Sequence, residues 1–185
     1  EFLVARDKQL NIVPQLATEW KQNGPLQWTF KLRPGVKFHD GRAFTADDVV
    51  FSLQRAKQPT SQIAAYASAL GEARKIDDLT VEFNLPQFNP VFLQHLNALY
   101  ILSKGWAEEH KATQTQNFAS KEESYAAFNA NGTGPWIVEK REPDVKTVLK
   151  RNPNYWGQIE GNVQQVVYTP IKSDATRTAA LLSGE

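Results

Sequence analysis

The chain has 185 residues, of which 41% are hydrophobic and 22% charged, a composition typical of a globular protein and not of a disordered one. Its 21 lysine and arginine residues against 20 aspartate and glutamate residues leave a net charge of +1, which excludes a strongly basic surface for nucleic acid or anionic membranes. The absence of cysteine excludes disulfides and thiolate zinc sites. No apolar run approaches the roughly 18 residues of a membrane span.

The first thirty residues predict one strand, one helical turn and one reverse turn. An apolar run over residues 2–5 indicates a short strand. Residues 15–20 (QLATEW) predict a helical turn that places Trp20 on the core. Asn23-Gly24-Pro25 then predicts a turn. Because the chain starts inside a strand-like run and stops at Gly184-Glu185, where a helix would end, we expect it to be a piece of a longer protein.

The stretch from Trp28 to Leu53 carries the clearest pattern in the chain. Apolar and polar residues alternate over 28–32, as in a strand with one buried face. Pro34-Gly35 predicts a turn, and the alternation resumes over 36–38, so we expect a hairpin over 28–38. Thr45 and Asp48 have the spacing of a capping box, which predicts a helix from about residue 46.

Further helices and strands follow in the remaining sequence. The patterns predict helices over 61–70, with Gly71 as its cap, over 91–99, over 103–110, over 120–128 opened by Ser120 and Glu123, and after Ser173. They predict hairpins over 73–85 and 136–150. Residues 164–169 are apolar on both faces, which is typical of a central strand. We expect Phe30, Leu32, Phe38, Val50, Leu53, Val81 and Phe83 to form a common core.

This order of elements predicts an α+β protein in which one block is inserted into a sheet. Pro14 and Gly134-Pro135 are the predicted boundaries of the inserted block. Residues 1–13 and 139–185 would then form a sheet subdomain, with strands at 2–5, 136–140, 146–150 and 164–169. Residues 14–138 would form a smaller α/β subdomain with its own sheet.

The sequence holds no complete catalytic or metal-binding motif. His39-Asp40 and the pairs Asp47-Asp48 and Asp77-Asp78 could serve acid–base chemistry, but turns and helix caps explain them more simply. The remaining histidines, His95 and His110, do not have the helical spacing of a zinc protease. Gly132-Thr133-Gly134 lacks the lysine of a phosphate-binding loop. We therefore expect no catalytic residues, no metal site and no cofactor.

Four stretches, taken together, resemble a known family. They are W-T-F-K-L-R-P-G-V-K-F-H-D-G with T-A-D-D-V-V-F-S-L after it, G-T-G-P-W at 132–136, R-N-P-N-Y-W-G at 151–157, and the closing T-R-T-A-A-L-L-S-G-E. In this order they resemble the family-five extracellular solute-binding proteins, the peptide-, nickel- and opine-binding receptors of bacterial ABC importers. The family usually has G-T-G-P-Y, so Trp136 is a departure from its pattern.

The resemblance implies a fold and a function. The fold is the first lobe of a periplasmic-binding-protein-like receptor (class II, cluster C), with a mixed sheet and an inserted α/β subdomain, and the second lobe is missing here. The function is to capture a solute, foremost a di- or oligopeptide, between two lobes and to deliver it to a membrane permease. Such a receptor is a periplasmic or extracellular monomer, in some cases lipid-anchored.

The resemblance also implies ligand-binding residues. The strand of Glu1, Phe2, Leu3 and Val4 matches one that pairs with the backbone of a bound peptide, which is β-augmentation. Tyr66 matches a tyrosine that faces the ligand cleft, whereas the alternative interpretation of its sequence context is a core tyrosine whose hydroxyl is satisfied at the edge of the core. Trp136 is expected near the cleft or the hinge. The alternative function is a small hydrolase that uses His39 with Asp40 or the aspartate pairs.

Overall fold

The computed structural model describes residues 1–122 and 124–184. In chain order the strands and helices are β1 (Val4–Arg6), β2 (Ile12–Pro14), β3 (Ala17–Gly24), β4 (Gln27–Leu32), α1 (Ala46–Ala56), α2 (Ala64–Ala69), β5 (Glu72–Asp77), β6 (Thr80–Asn84), α3 (Phe92–His95) with a 3₁₀ turn over Leu96–Ala98, α4 (Lys104–Glu109), α5 (Tyr125–Phe128), β7 (Trp136–Glu142), β8 (Lys146–Arg151), β9 (Gln165–Tyr168) and α6 (Asp174–Ser183). The protein is therefore α+β, as predicted. None of the described helices is long and apolar enough to cross a membrane.

A four-stranded antiparallel sheet in the order β3-β4-β6-β5 holds the main core. Phe30 on β4 lies opposite Val81 on β6, and its ring packs edge-on against Phe83 at 5.5 Å between centroids. Helix α1 crosses β5 and β6 and buries Val49 and Leu53. The predicted core is confirmed except at Val50, which is only partly buried, because the helix turns the preceding residue inward.

The predicted hairpin over residues 28–38 is wrong. β4 forms its hairpin with the preceding strand β3 across Pro25-Leu26, and its other neighbour is β6. Residues 36–38 form a small loop in which Phe44 donates its backbone N–H to Val36 O and Phe38 donates to Arg42 O. The helical turn expected over residues 15–20 is also wrong, because residues 17–20 belong to strand β3, where pairing with β4 satisfies their backbone groups.

Two other sheets complete the described fold. β7, β8 and β9 form a three-stranded antiparallel sheet, separate from the first as predicted. β1 was expected in this sheet, but it pairs with β2, and Leu3 and Val4 are buried in the same core as Phe30. β9 was expected to be central and is an edge strand. The division into residues 1–13 with 139–185 and residues 14–138 stays a prediction.

Most of the predicted helix ends agree with the structure. The Asp48 carboxylate accepts the backbone N–H of Thr45 at 2.8 Å, which confirms the Asp48 half of the predicted capping box. The other carboxylate oxygen of Asp48 accepts the backbone N–H of Lys104 at 2.8 Å. Ser173 caps α6. α5 begins only after Ser124, and the proposed Ser120–Glu123 box involves a residue outside the described ranges. Gly71 ends α2 with a φ of +71°, and an added Cβ would lie 2.1 Å from Asn84 O.

Candidate functional site

The first residues of the chain are held by backbone groups at positions 16, 17 and 101 and by the segment after β8. The backbone carbonyls of Glu1, Phe2 and Leu3 accept N–H groups of Ile101, Leu16 and Ala17, respectively. The Glu1 carboxylate accepts the Tyr155 hydroxyl and the Trp156 indole N–H, both at 2.8 Å. These contacts fix residues 1–3, which precede strand β1 and are not themselves a strand. The side chains of the predicted binding residues Leu3 and Val4 are fully buried in the core.

Tyr155 and Trp156 are supporting residues that the sequence interpretation did not assign. Burial first, and then the hydrogen bond to the Glu1 carboxylate, raise the pKa of the Tyr155 phenol, so the phenol keeps its proton and donates a hydrogen bond to that carboxylate. The guanidinium of Arg33 lies 4.3 Å from the centroid of the Trp156 ring. The sequence indicated only two bulky aromatic residues in the R-N-P-N-Y-W motif. Their contact with Glu1 has no local signal, because Glu1 lies more than 150 positions away.

The loop G-T-G-P at 132–135 is fastened by His39 and Asn152. His39 donates its backbone N–H to Gly132 O at 2.8 Å, its Nδ1 lies 3.3 Å from the Gly132 N–H, and its Nε2 lies 2.9 Å from Gly134 O. These contacts assign a neutral ring that accepts at Nδ1 and donates at Nε2. Burial lowers the pKa of His39, consistent with that neutral form. Asn152 also donates its side-chain amide to Gly134 O.

The candidate catalytic residues of the sequence analysis all have structural partners. Both ring nitrogens of His39 are engaged by the loop. Asp47 and Asp78 pair with Lys75, and Asp77 accepts the backbone N–H of Leu79. Within residues 1–122 and 124–184, no group of three His, Asp or Glu side chains is arranged to hold a metal ion. The hydrogen bonds and ion pairs of these residues stabilise the fold.

The predicted binding residues Tyr66, Trp136 and Phe2 lie in separate parts of the structure. Tyr66 projects from α2 with 54% of its surface exposed, so the alternative of a buried core tyrosine is wrong. Trp136 is half-buried at the start of β7, opposite Arg151 of β8. Phe2 is half-buried and packs on Tyr100 at 4.6 Å between ring centroids. The structure thus joins Phe2 to a residue, Tyr100, that the sequence interpretation missed.

A cavity of about 390 Å³ lies beside Tyr100, and Ser52, Arg55 and Ala56 of α1 form part of its wall. Its apolar lining includes Ile63, Tyr100 and Phe118, and hydroxyl groups come from residues such as Ser61 and Ser124. This volume is within the range of small-molecule sites, and a mostly apolar wall with a few polar groups is typical of them. Ile63, which precedes the first residue of α2, lines the cavity, whereas Tyr66 within α2 is not among the lining residues.

Comparison with known proteins assigns the chain to a family. The chain is 28% identical over its whole length to the periplasmic murein peptide-binding protein MppA of Escherichia coli, of which it covers 36%. Among solved structures it resembles NikZ of Campylobacter jejuni in complex with Ni(L-His), with a TM-score of 0.85, 25% identity, and coverage of 99% of this chain and 36% of NikZ. It also resembles AppA of Bacillus subtilis in complex with a nonapeptide, with a TM-score of 0.83, 27% identity, and coverage of 100% of this chain and 36% of AppA.

These relatives are nearly three times as long as the chain, which spans only about 36% of their length. The strongest evidence for the family is a match to the sequence pattern shared by its members. Residues 11–185 match the bacterial extracellular solute-binding proteins, family 5, and this match extends over most of the chain. The chain therefore belongs to the family 5 bacterial extracellular solute-binding proteins.

Proposed function

We propose that this chain is part of the substrate-binding component of an ABC importer, which captures a di- or oligopeptide and delivers it to a membrane permease. The observation that carries the proposal is the family match over residues 11–185. Relatives named for murein peptide, oligopeptide and dipeptide binding favour a peptide ligand. The expected place of work is the periplasm or the cell exterior, and the expected state is a monomer.

The proposed binding surface consists of Phe2, Tyr66, Tyr100 and the cavity that Tyr100 lines. Two features support it. Tyr100 is 69% exposed and Tyr66 54% exposed, so their rings are available to a ligand, and aromatic rings supply large contact areas at low conformational cost. The segment of Glu1, Phe2, Leu3 and Val4 is fixed in place, with only Val4 in β1 and with the side chains of Leu3 and Val4 buried. We retain its backbone as the element along which a peptide backbone would lie. Trp136 remains a proposed contact near the hinge.

The proposed mechanism is binding by closure of two lobes and needs no chemical step. A ligand that contacts both lobes stabilises the closed state by its higher affinity for that state. Because pocket ligands typically bury about 70–90% of their surface, one lobe alone would leave much of the ligand in water. We therefore expect residues 1–185 alone to bind weakly and the full-length protein to bind well.

Isothermal titration calorimetry on the full-length protein tests this proposal with three probes, namely trialanine, nickel(II)–L-histidine and agropinic acid. We expect trialanine to bind and residues 1–185 alone to bind it much more weakly. Tyr66→Ala should weaken binding by about tenfold, roughly 1.4 kcal/mol, and the melting temperature should not change. Tyr125→Ala is the matched control, since Tyr125 is also exposed but stacks on His110.

The outcomes separate the parts of the proposal. Binding of nickel–histidine or agropinic acid without trialanine would overturn the peptide assignment but keep the receptor function. Tight binding by residues 1–185 alone would contradict the two-lobe mechanism. An affinity unchanged by Tyr66→Ala would remove Tyr66 from the binding surface.

A further inference from the structure

Tyr66 has an unusual position for a residue that must hold a defined orientation. It lies on a six-residue helix of alanine and serine, and 54% of its surface is exposed. Its ring contacts the imidazole of His95 on α3 edge-on, at 5.6 Å between centroids and an interplanar angle of 78°. Such edge-to-face contacts are favourable, so the imidazole restricts which rotamer the tyrosine adopts.

The imidazole of His95 is itself fixed by Asn89. Asn89 Nδ2 lies 3.1 Å from His95 Nδ1 and 3.5 Å from Ala69 O, and Asn89 Oδ1 accepts the backbone N–H of Val91 at 3.1 Å. The Val91 contact identifies the amide oxygen, so the amide nitrogen is the atom that faces His95. His95 Nδ1 is then the acceptor, and the proton of the neutral ring is on Nε2.

These contacts form a closed set of interactions that joins α2 to α3. Ala69 is the last residue of α2, and Asn89 connects it to His95 on α3, whose ring returns to Tyr66 on α2. A cavity of about 230 Å³ adjoins His95, and its lining of Ala69, Gln87, Phe88, Asn89, Pro90 and His95 contains no carboxylate and no lysine or arginine. The orientation of the imidazole thus depends on the hydrogen bond from Asn89 and the contact with Tyr66.

We propose that His95 is a positioning residue for ligand recognition, which, fixed by Asn89, holds the Tyr66 ring in the orientation that contacts the ligand. This inference rests on the proposed role of Tyr66 in binding. His95 acts through Tyr66 and makes no ligand contact of its own. Replacing His95 should therefore weaken binding only as long as the tyrosine is present.

A double-mutant cycle on the full-length protein tests this prediction with trialanine as the probe. We expect His95→Ala to weaken binding by about threefold to tenfold and Tyr66→Ala by about tenfold. The double variant should bind no more weakly than Tyr66→Ala alone. His110→Ala is the matched control, because His110 also stacks on a tyrosine, Tyr125, at 4.5 Å, and it should leave the affinity unchanged. Additive effects of the two substitutions would overturn the proposal.

A second measurement needs no ligand and separates this inference from the proposed function. In protein labelled with ¹³C-tyrosine, the ring signals of Tyr66 should shift on His95→Ala and on Asn89→Ala, because both remove the support of its orientation. They should shift less on His95→Phe, which keeps an aromatic ring and also serves if His95→Ala fails to fold. Unchanged Tyr66 signals in His95→Ala would contradict the positioning role. Shifted signals in a protein that does not bind trialanine would contradict only the peptide assignment.

Discussion

The four-stranded sheet and the three-stranded sheet are both antiparallel, but their apolar side chains are covered very differently. On the first sheet Phe30, Val81 and Phe83 are fully buried at 0% exposure. On the edge strand of the second sheet, Val167 and Tyr168 are 56% and 62% exposed. The helices differ in the same way, since α1 buries Leu53 whereas α6 leaves Leu182 83% exposed.

This difference shows that alternation of apolar residues predicts which face of a strand is apolar but not which element packs on that face. Both sheets carry apolar residues at strand spacing, and only the first has α1, α2 and α3 packed around its core. Because the stabilisation from burial grows with the apolar area removed from water, at about 25 cal/mol per Å², most of the stability of the described residues comes from the first sheet. Four substitutions test this difference between the two sheets.

The largest expected effect is that of Phe30→Ala in the first sheet. Phe30 contacts the rings of Trp20, Phe83 and Phe92, and its truncation leaves a cavity among them. We expect a loss of about 3–5 kcal/mol in the free energy of unfolding, measured by urea denaturation. A loss below about 1 kcal/mol would mean that the first sheet does not hold the main core.

Asp48→Ala tests the polar contacts that attach α1 to that core. Its carboxylate accepts the backbone N–H groups of Thr45 and Lys104, and both would lose their acceptor. We expect a loss of about 1–3 kcal/mol in the free energy of unfolding. Asp47→Ala is the matched control, since the Asp47 side chain is exposed, and it should cost clearly less in the same denaturation experiment.

His39→Gln tests the connection between the first sheet and the loop that leads to the second. Because burial lowers the pKa of the folded His39, the unfolded chain binds a proton at a higher pH than the folded one. The stability of the wild type should therefore fall as the pH drops below about 6.5, the ordinary value of histidine. Denaturation midpoints at pH 5–8 should show a weaker fall in His39→Gln. An identical pH dependence in both proteins would show that the loop contacts do not keep His39 neutral.

The smallest expected effect is that of Leu182→Ser on α6. With 83% of its surface exposed, Leu182 removes little area from water in the described residues. In the isolated chain of residues 1–185 we expect a change within about 0.5 kcal/mol, again by urea denaturation. A loss comparable to that of Phe30→Ala would show that α6 has a covered face, and the contrast between the two sheets would fail.

The sequence predicts the local elements of this fold better than their partners. The strands of the 73–85 hairpin and the start of α1 follow from alternation and capping, which depend on neighbouring residues. The strand β3 was missed because QLATEW contains few β-branched residues, and only pairing with β4 makes it a strand. The Pro34-Gly35 turn was identified, but a turn does not determine whether the next residues pair with the strand before it.

The candidate site was less predictable than the fold. Tyr66 stood out because its neighbours on α2 are small. Tyr155, Trp156 and His39 support the first strand and the 132–135 loop through contacts that span about 90 to 155 positions, which no local pattern records. Tyr100 gave no signal at all, since one tyrosine after an apolar stretch has many explanations.

Helix α2 also has a consequence for how recognition can diverge. The core contains Ala67 of this helix and the following Leu70, whereas Tyr66, Ala65 and Ser68 point outward and are exposed. Under the proposed role of Tyr66 in binding, substitutions at these outward positions would alter the proposed binding surface and leave the buried residues of α2 unchanged. A lineage would then acquire a new ligand preference through α2 at little risk to folding, because the residues exposed on this helix and the residues that anchor it are different ones.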